Sequence, residues 1–141
     1  MKTKITLILF MAVSIIGLSS CSKETIDSIT RDTALNIITA GVWQKATKTI
    51  SGNSDNTLNI TTELLAENQT LNFDKDGKAW IKTTESDVQT SKNYNLSSPK
   101  KMTFDGMDYD IKENIVQSIA TLTLINITAS VRTEIVFKRK R

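Results

Sequence analysis

The 141-residue sequence contains no histidine and a single cysteine, Cys21. Without histidine, the chain lacks the side chain that most often serves as general base and metal ligand. With one cysteine, it cannot form an intramolecular disulfide. The sequence also has no Gly-x-Ser-x-Gly motif of the kind that carries a nucleophilic serine. These absences disfavour an enzyme, and we expect neither a metal ion nor a cofactor.

The first twenty residues differ in character from the rest of the chain. Lys2 and Lys4 precede an apolar run over residues 5–18. A membrane-spanning helix needs roughly 20 apolar residues, whereas a shorter run with a basic start is typical of a secretory signal peptide. A short, uncleaved membrane anchor is the alternative. Removal of both lysines lowers the formal net charge from +3 to +1, so we do not expect nucleic acid as a partner.

The end of this run, Leu18-Ser19-Ser20-Cys21, resembles the lipobox of bacterial lipoproteins. The resemblance implies that Cys21 is acylated and becomes the first residue after cleavage, so that lipid holds the protein at a membrane. Two or more acyl chains give a stable anchor. Because Ser22 is not the aspartate that retains lipoproteins of enteric bacteria in the inner membrane, we expect the outer membrane. The leaflet, periplasmic or surface-exposed, stays open.

These features divide the chain into three parts. Residues 1–20 are expected to form a signal peptide, residues 21–31 a lipidated N-terminus with a flexible tether, and residues 32–141 one folded domain. Asp32 is predicted to cap a short helix that ends near Gly41.

Three shorter patterns accompany this division. Asp27-Ser28-Ile29 and Asp32-Thr33-Ala34 resemble acceptor triplets for O-glycosylation of exported Bacteroidetes proteins. The run Lys138-Arg139-Lys140-Arg141 is expected to be a solvated end after the last strand. Contact of these four cations with anionic lipid headgroups is the alternative.

After Gly41 the apolar residues alternate, and turn signals recur about every ten residues, which is typical of an antiparallel sandwich or barrel. Residues 58–65 fit either a strand or a short helix. The other predicted elements are strands at 42–50, 94–96, near 115–127 and at 131–138, with a loop at 51–56.

One predicted hairpin is centred on Asp105-Gly106, which suits a two-residue turn with positive φ. This turn pairs Phe104 with Met107 and Met102 with Tyr109. All four apolar side chains then share one face of the hairpin, so the pattern and the register agree.

A second predicted hairpin turns at residues 74–77, with Gly77 in the left-handed conformation. It pairs Phe73 with Ala79 and leaves Trp80 on the opposite face. Either Trp80 lies beneath the helix or a loop, or it is exposed toward a protein partner. The Asp-x-Asp in the turn does not fit an EF-hand, because its glycine and glutamate are at the wrong positions.

The segment Gly41-Val42-Trp43 after a short helix resembles the Gly-x-Trp signature of lipocalins. The segments LNFDKDGKAW, MTFDGMDYDI, TLTL and IVFKR are similar to those of lipocalin-like lipoproteins of the Bacteroidetes. This resemblance spans residues 32–139 and implies an all-β fold: a small antiparallel up-and-down β-barrel of about eight strands, preceded by a short helix. It also implies that an arginine packs across Trp43, and either Arg132 or Arg139 fits that role.

The resemblance implies a small apolar ligand inside the barrel, although a filled interior is equally compatible with the fold. The residues expected to line a pocket, or otherwise to pack the core, are Trp43, Phe73, Met102, Phe104, Tyr109 and Phe137. The alternative is a protein-interaction module, a surface-complex subunit or an inhibitor of an envelope enzyme, with a partner on the Trp80 face. A cavity above about 300 Å³ would favour the ligand. A filled barrel with Trp80 in an exposed apolar patch would favour the protein partner.

Overall fold

A computed structural model of the chain describes residues 23–139, with side chains from Thr30 onward. Helix α1 (Lys23–Thr39) opens this part of the chain. It starts earlier than predicted: Asp32 lies inside the helix, where its carboxylate pairs with Arg31 at 2.7 Å, and it does not cap the helix. Among the described residues, no helix combines the length and apolar character needed to span a bilayer.

Nine strands follow α1 within the described residues, and a short 3₁₀ helix (Asn56–Leu58) lies between the first two. The strands are β1 (Trp43–Ser51), β2 (Ile60–Glu63), β3 (Gln69–Phe73), β4 (Lys78–Thr83), β5 (Gln89–Ser98), β6 (Lys101–Phe104), β7 (Met107–Ile111), β8 (Thr121–Thr128) and β9 (Val131–Arg139).

Neighbouring strands pair in an antiparallel manner from β3 to β9, and β1 pairs with both β3 and β9. Eight strands therefore close a barrel, which confirms the predicted fold class. The ninth, β2, pairs with the end of β1, where Thr47 is opposite Glu63. The ambiguous segment 58–65 is thus mainly a strand, added beside the barrel wall.

Both predicted hairpins are confirmed in their registers. Phe104 is opposite Met107 and Met102 opposite Tyr109, with φ of 50° at Asp105. Phe73 is opposite Ala79, and Gly77 has a φ of 85°.

The strand predicted near 115–127 begins later, at Thr121, because residues 112–120 form a connection. Two contacts hold this connection against the barrel. Ile115 is buried, with 1% of its surface exposed, and the Glu113 carboxylate accepts hydrogen bonds from the Thr123 backbone N–H and hydroxyl, each at 2.7 Å. An apolar residue that plugs a barrel end is indistinguishable in sequence from one that lies in a strand.

Because consecutive strands of the closed barrel, β1 and β3 to β9, run in opposite directions, the connections between them alternate between its two ends. One end, the closed end, carries α1, the β3–β4 and β5–β6 turns, the β7–β8 connection and the last residue of β9. Ala34 and Ile38 of α1 are fully buried in the core there. The other end, the open end, carries the β1–β2, β4–β5, β6–β7 and β8–β9 connections.

Candidate binding site at the open end of the barrel

The closed end is sealed by Trp43 and Arg139. Trp43 is fully buried, and its indole N–H donates to the Ile38 carbonyl at 3.3 Å. The Arg139 guanidinium lies 4.5 Å from the centroid of the Trp43 ring and donates to the Ile37 carbonyl at the end of α1. Burial lowers the pKa of Arg139. The arginine that packs across Trp43 is therefore Arg139.

Arg132, the other candidate, lies near the open end and pairs with Glu134. The glycine before Trp43 also has a steric role, because a Cβ on Gly41 would lie 3.3 Å from the Arg139 guanidinium carbon. Glycine at this position thus leaves room for the arginine.

Aromatic rings fill the barrel beyond Trp43. The Phe73 centroid lies 4.9 Å from that of Tyr94 and 5.5 Å from that of Phe137, and Phe104 lies 5.5 Å from Phe137. All three contacts are edge-to-face, an arrangement that contributes about 0.5–1.5 kcal/mol per pair beyond burial. These rings therefore form a packed aromatic core inside the barrel.

Tyr94 ends this aromatic layer at the barrel wall. Its hydroxyl donates to the Asp74 carbonyl. Burial, together with the negative charges of Asp74 and Asp76, raises the pKa of Tyr94 to about 12. Tyr94 is therefore a neutral hydrogen-bond donor that holds the β3–β4 turn.

Toward the open end, the packing leaves a cavity of about 100 Å³, which is smaller than the about 300 Å³ that would favour a fully enclosed ligand. Its walls come from strands on every side of the barrel and are mainly apolar. The residues that line it are Lys48, Leu64, Leu71, Ile81, Lys92, Phe104, Asp105, Met107, Tyr109, Ile135 and Phe137.

Two lysines supply the positive charge of this cavity. Lys92 pairs with Asp105 at 2.7 Å across the rim; because both side chains are about half exposed, the pair contributes at most about 1 kcal/mol. Lys48 lies on the wall, and its side chain has no hydrogen-bond or ion-pair partner within residues 30–139. An unpaired ammonium beside apolar walls can donate a hydrogen bond to an anionic or carbonyl oxygen of a ligand.

Tyr109 adds a third polar group to the cavity. Its hydroxyl lies 3.7 Å from the Met107 sulfur, and burial together with the charge of Asp105 raises its pKa. The phenol is therefore neutral at ordinary pH and can donate a hydrogen bond to a ligand.

A β-bulge brings Lys48 to the inside. The register between β1 and β9 shifts between Trp43 and Lys45, so β1 holds one extra residue there. Without the bulge, alternation from Trp43 would direct Lys45 inward. Instead Ala46 is fully buried, Lys45 is exposed, and Lys48 lines the cavity.

The structure brings three of the six predicted pocket residues to the cavity: Phe104, Tyr109 and Phe137. The other three, Trp43, Phe73 and Met102, are buried but do not line it. Sequence reasoning missed Lys48 and the Lys92–Asp105 pair. Lys92 could have been found from the alternation of β5, because it lies two residues before the buried Tyr94 and therefore on the same, inward face of the strand.

Trp80 lies on the outer face of β4, as predicted, and packs against the β3–β4 turn. Its indole N–H donates to the Asp74 carboxylate at 2.8 Å, and its cross-strand neighbours are the polar residues Asn72 and Ser91. Burial alone would raise the pKa of Asp74, but hydrogen bonds from the Lys78 N–H, Trp80 and the Asp76 N–H lower it. Trp80 is half-buried and is not part of an apolar patch.

Most of the exposed large apolar side chains among the described residues lie instead around the open end, whereas Val42 and Val116 lie at the closed end. Leu58 and Ile60 flank the end of the β1–β2 connection, Val88 lies in the β4–β5 connection, and Met107 follows the β6–β7 turn. Their exposed fractions are 56%, 49%, 68% and 40%. Together we call these four residues the apolar rim.

Several predictions concern residues without described side chains. Cys21 and the signal segment lie outside the described residues, and residues 27–29 are described only as backbone of α1. Asp32-Thr33-Ala34 lies within α1. Among the described residues, no three or more acidic side chains come together as a metal site would require.

The chain was compared with known proteins at three levels. It matched no model of a protein family, no curated protein and no solved structure. A function is therefore argued from the chemistry of the site itself.

Proposed function

We propose that the protein is a lipid-anchored lipoprotein of the outer membrane whose lipocalin-like barrel binds the apolar end of a small molecule. The sequence Leu18-Ser19-Ser20-Cys21 supports the anchor. The observation that supports binding of a ligand is the apolar cavity at the open end, with the unpaired Lys48 side chain on its wall.

The size of the cavity limits what enters it. An apolar cavity of about 150 Å³ holds the six carbons of benzene, so a cavity of about 100 Å³ holds roughly four carbon atoms. Sites that enclose a whole drug-sized ligand are larger, about 300–1,000 Å³. The ligand is therefore one whose aliphatic end enters the barrel while the remainder stays at the open end.

The polar groups of the cavity support binding and not catalysis. Lys48 can pair with an anionic oxygen, whereas Asp105 is already engaged by Lys92. Tyr109 holds its proton, since its pKa is raised. No nucleophile with an adjacent base is present among these lining residues, so we propose a binding protein and not an enzyme.

A calorimetric titration with straight-chain carboxylates of two to ten carbons tests the ligand. The protein used is the chain from Ser22 onward, because every core residue lies between Ala34 and Phe137. Each buried methylene contributes about 0.8 kcal/mol, so affinity should rise about fourfold per carbon for roughly four carbons and then level off. An affinity that does not change with chain length would contradict the proposal.

Variants make this test specific. Ile81→Phe places a larger side chain in the cavity, so affinity should no longer rise with the chain length of the carboxylate. Val116→Phe, on the surface of the closed end, should leave this rise in affinity unchanged. Lys48→Met should weaken carboxylate binding about tenfold and leave binding of the corresponding alcohols unchanged. Equal losses of affinity for acids and alcohols would show that Lys48 does not bind the carboxylate.

The apolar rim favours a second candidate, a protein-interaction module whose partner binds the open end. Four exposed apolar side chains at one end of a small barrel are typical of an interaction surface. The polar neighbours of Trp80 make its face a weaker choice. A partner captured by this protein should be lost from Leu58→Ser/Val88→Ser but retained by Val116→Ser, which is equally exposed at the closed end.

A further inference from the structure

The exposed charges of the described residues are divided unevenly between the two ends of the barrel. Lysines predominate in and next to the closed-end connections, where the exposed ones are Lys45, Lys75, Lys100, Lys101, Lys112 and Lys138. The exposed acidic residues there, Asp32, Asp76 and Asp110, are fewer, and two of them already pair with Arg31 and Lys101. Lys45 and Lys138 share a groove with two further exposed carboxylates, Glu63 and Glu67.

The open end has the opposite charge. The exposed acidic residues in and next to its connections are Asp55, Glu85, Asp87, Asp105 and Asp108, whereas the exposed or half-exposed cations there are fewer: Lys82, Lys92 and Arg132. The barrel is thus basic at one end and acidic at the other.

The expected anchor joins the chain at the basic end. Helix α1 contacts the closed end, where Arg139 donates to the Ile37 carbonyl and Arg31 lies beside the β3–β4 turn. At 1.5 Å per residue, Lys23 lies about 10 Å along the helix from Thr30. Cys21 precedes Lys23 by two residues in sequence, so the proposed lipid joins the chain through α1, the element that contacts the closed end.

We propose that the closed end of the barrel docks on an anionic lipid surface, with the open end directed away from it. Charge complementarity identifies the occupant: unpaired lysines face phosphate headgroups, while the acidic open end is repelled by the same surface. The inference rests on the proposed function only for the position of the anchor. It implies that the cavity takes its ligand from the aqueous side and not from the membrane below.

Vesicle binding without the anchor tests the docking surface directly. The chain from Ser22 onward carries no lipid, and it is mixed with vesicles of phosphatidylcholine alone or with 30% phosphatidylglycerol, then sedimented. We expect binding only to the anionic vesicles, and weaker binding in 0.5 M salt than in 0.1 M salt, because screening shortens the range of the attraction. Equal binding to both kinds of vesicle would overturn the proposal.

Two matched double variants locate the surface. Lys75→Gln/Lys112→Gln removes two exposed, unpaired cations from the closed end and should weaken binding about 25-fold, at roughly fivefold per cation near the surface. Lys82→Gln/Arg132→Gln removes the same charge from the open half and should change binding less than twofold. Equal weakening by the two variants would show an effect of net charge alone and refute a specific surface.

Orientation gives an independent readout. The chain from Ser22 onward has no cysteine, so single cysteines introduced by Lys112→Cys and Asp87→Cys accept a fluorescent label at one end each. A quencher on the lipid headgroup should dim the label at position 112 and not that at position 87. The reverse order would overturn the orientation. Failure of these vesicle tests leaves acylation of Cys21 and the carboxylate titration standing, since each has its own measurement.

Discussion

Replacing Arg139 with methionine removes the contact that joins the chain's last described residue to both the helix and the barrel. Methionine keeps an apolar stem that can cover Trp43, but it loses the cation–π contact and the charged hydrogen bond to the Ile37 carbonyl. A cation–π contact contributes about 0.5–2 kcal/mol, and a hydrogen bond from a charged donor about 1.5–3 kcal/mol.

Because Arg139 is only partly buried, the lower half of each range applies, and Arg139→Met should reduce the free energy of unfolding by about 2–3 kcal/mol. At roughly 4 °C per kcal/mol for a domain of this size, the midpoint of thermal unfolding should fall by about 8–12 °C. The loss is a large share of the about 5–15 kcal/mol that stabilises a typical domain.

Arg132→Met is the matched control, since it changes the same residue type on the same strand. Arg132 pairs with Glu134, and both side chains are substantially exposed, at 41% and 31%, so the pair contributes about 0–1 kcal/mol. Urea unfolding followed by far-ultraviolet circular dichroism measures both variants. Losses of similar size would refute the argument that Arg139 seals the closed end, whereas partial recovery in Arg139→Lys would support it.

Two further predictions concern single positions. Gly52→Ala should destabilise more than Gly106→Ala in urea unfolding: both glycines have positive φ, which costs alanine about 1–2 kcal/mol, but only at Gly52 would the Cβ meet a backbone oxygen, that of Ser130 at 2.4 Å. Equal losses of unfolding free energy in the two variants would show that the contact with the Ser130 oxygen has no effect on stability. Asp74 has a lowered pKa in the folded state, so its carboxylate stabilises the fold above its ordinary value of 3.8, and this contribution is lost as pH falls through the folded value. Asp74→Asn should therefore reduce the loss of stability below pH 4 relative to the unsubstituted protein, measured by urea unfolding at several pH values.

The hairpins were predictable from the sequence because two independent signals agree there. At Asp105-Gly106, the turn residues demand positive φ and the apolar alternation on both sides fixes the same register. The β3–β4 hairpin has the same property around Gly77. Where turn chemistry and side-chain periodicity agree, one sequence suffices to place a strand pair.

The errors occur where only one of these signals is present. Ile115 continues an apolar pattern but plugs the barrel end from a connection, and its role depends on distant strands. The sequence predicts that α1 starts at Asp32, a residue that often caps helices, but the helix begins at Lys23 and Asp32 pairs with Arg31 inside it. Arg132 and Arg139 were equivalent in sequence, and only the closure of β9 onto β1 brings Arg139 over Trp43.

The candidate site was harder to predict than the fold, since a bulge after Trp43 reverses which residues of β1 face the inside of the barrel. Its polar residue, Lys48, would be assigned to the outer face by simple alternation. The aromatic candidates were chosen for size and apolarity, which select for a packed core as strongly as for a pocket. Three of the six line the cavity, and two of these, Phe104 and Phe137, also pack edge-to-face with Phe73 in the aromatic core.

Unequal strand lengths account for the position of the cavity in the barrel. Strands β6 and β7 have four and five residues, whereas β8 and β9 have eight and nine, so the wall is lowest at the β6–β7 turn. That hairpin supplies Phe104, Asp105, Met107 and Tyr109 to the cavity. The shortest strand pair of the barrel therefore borders the cavity.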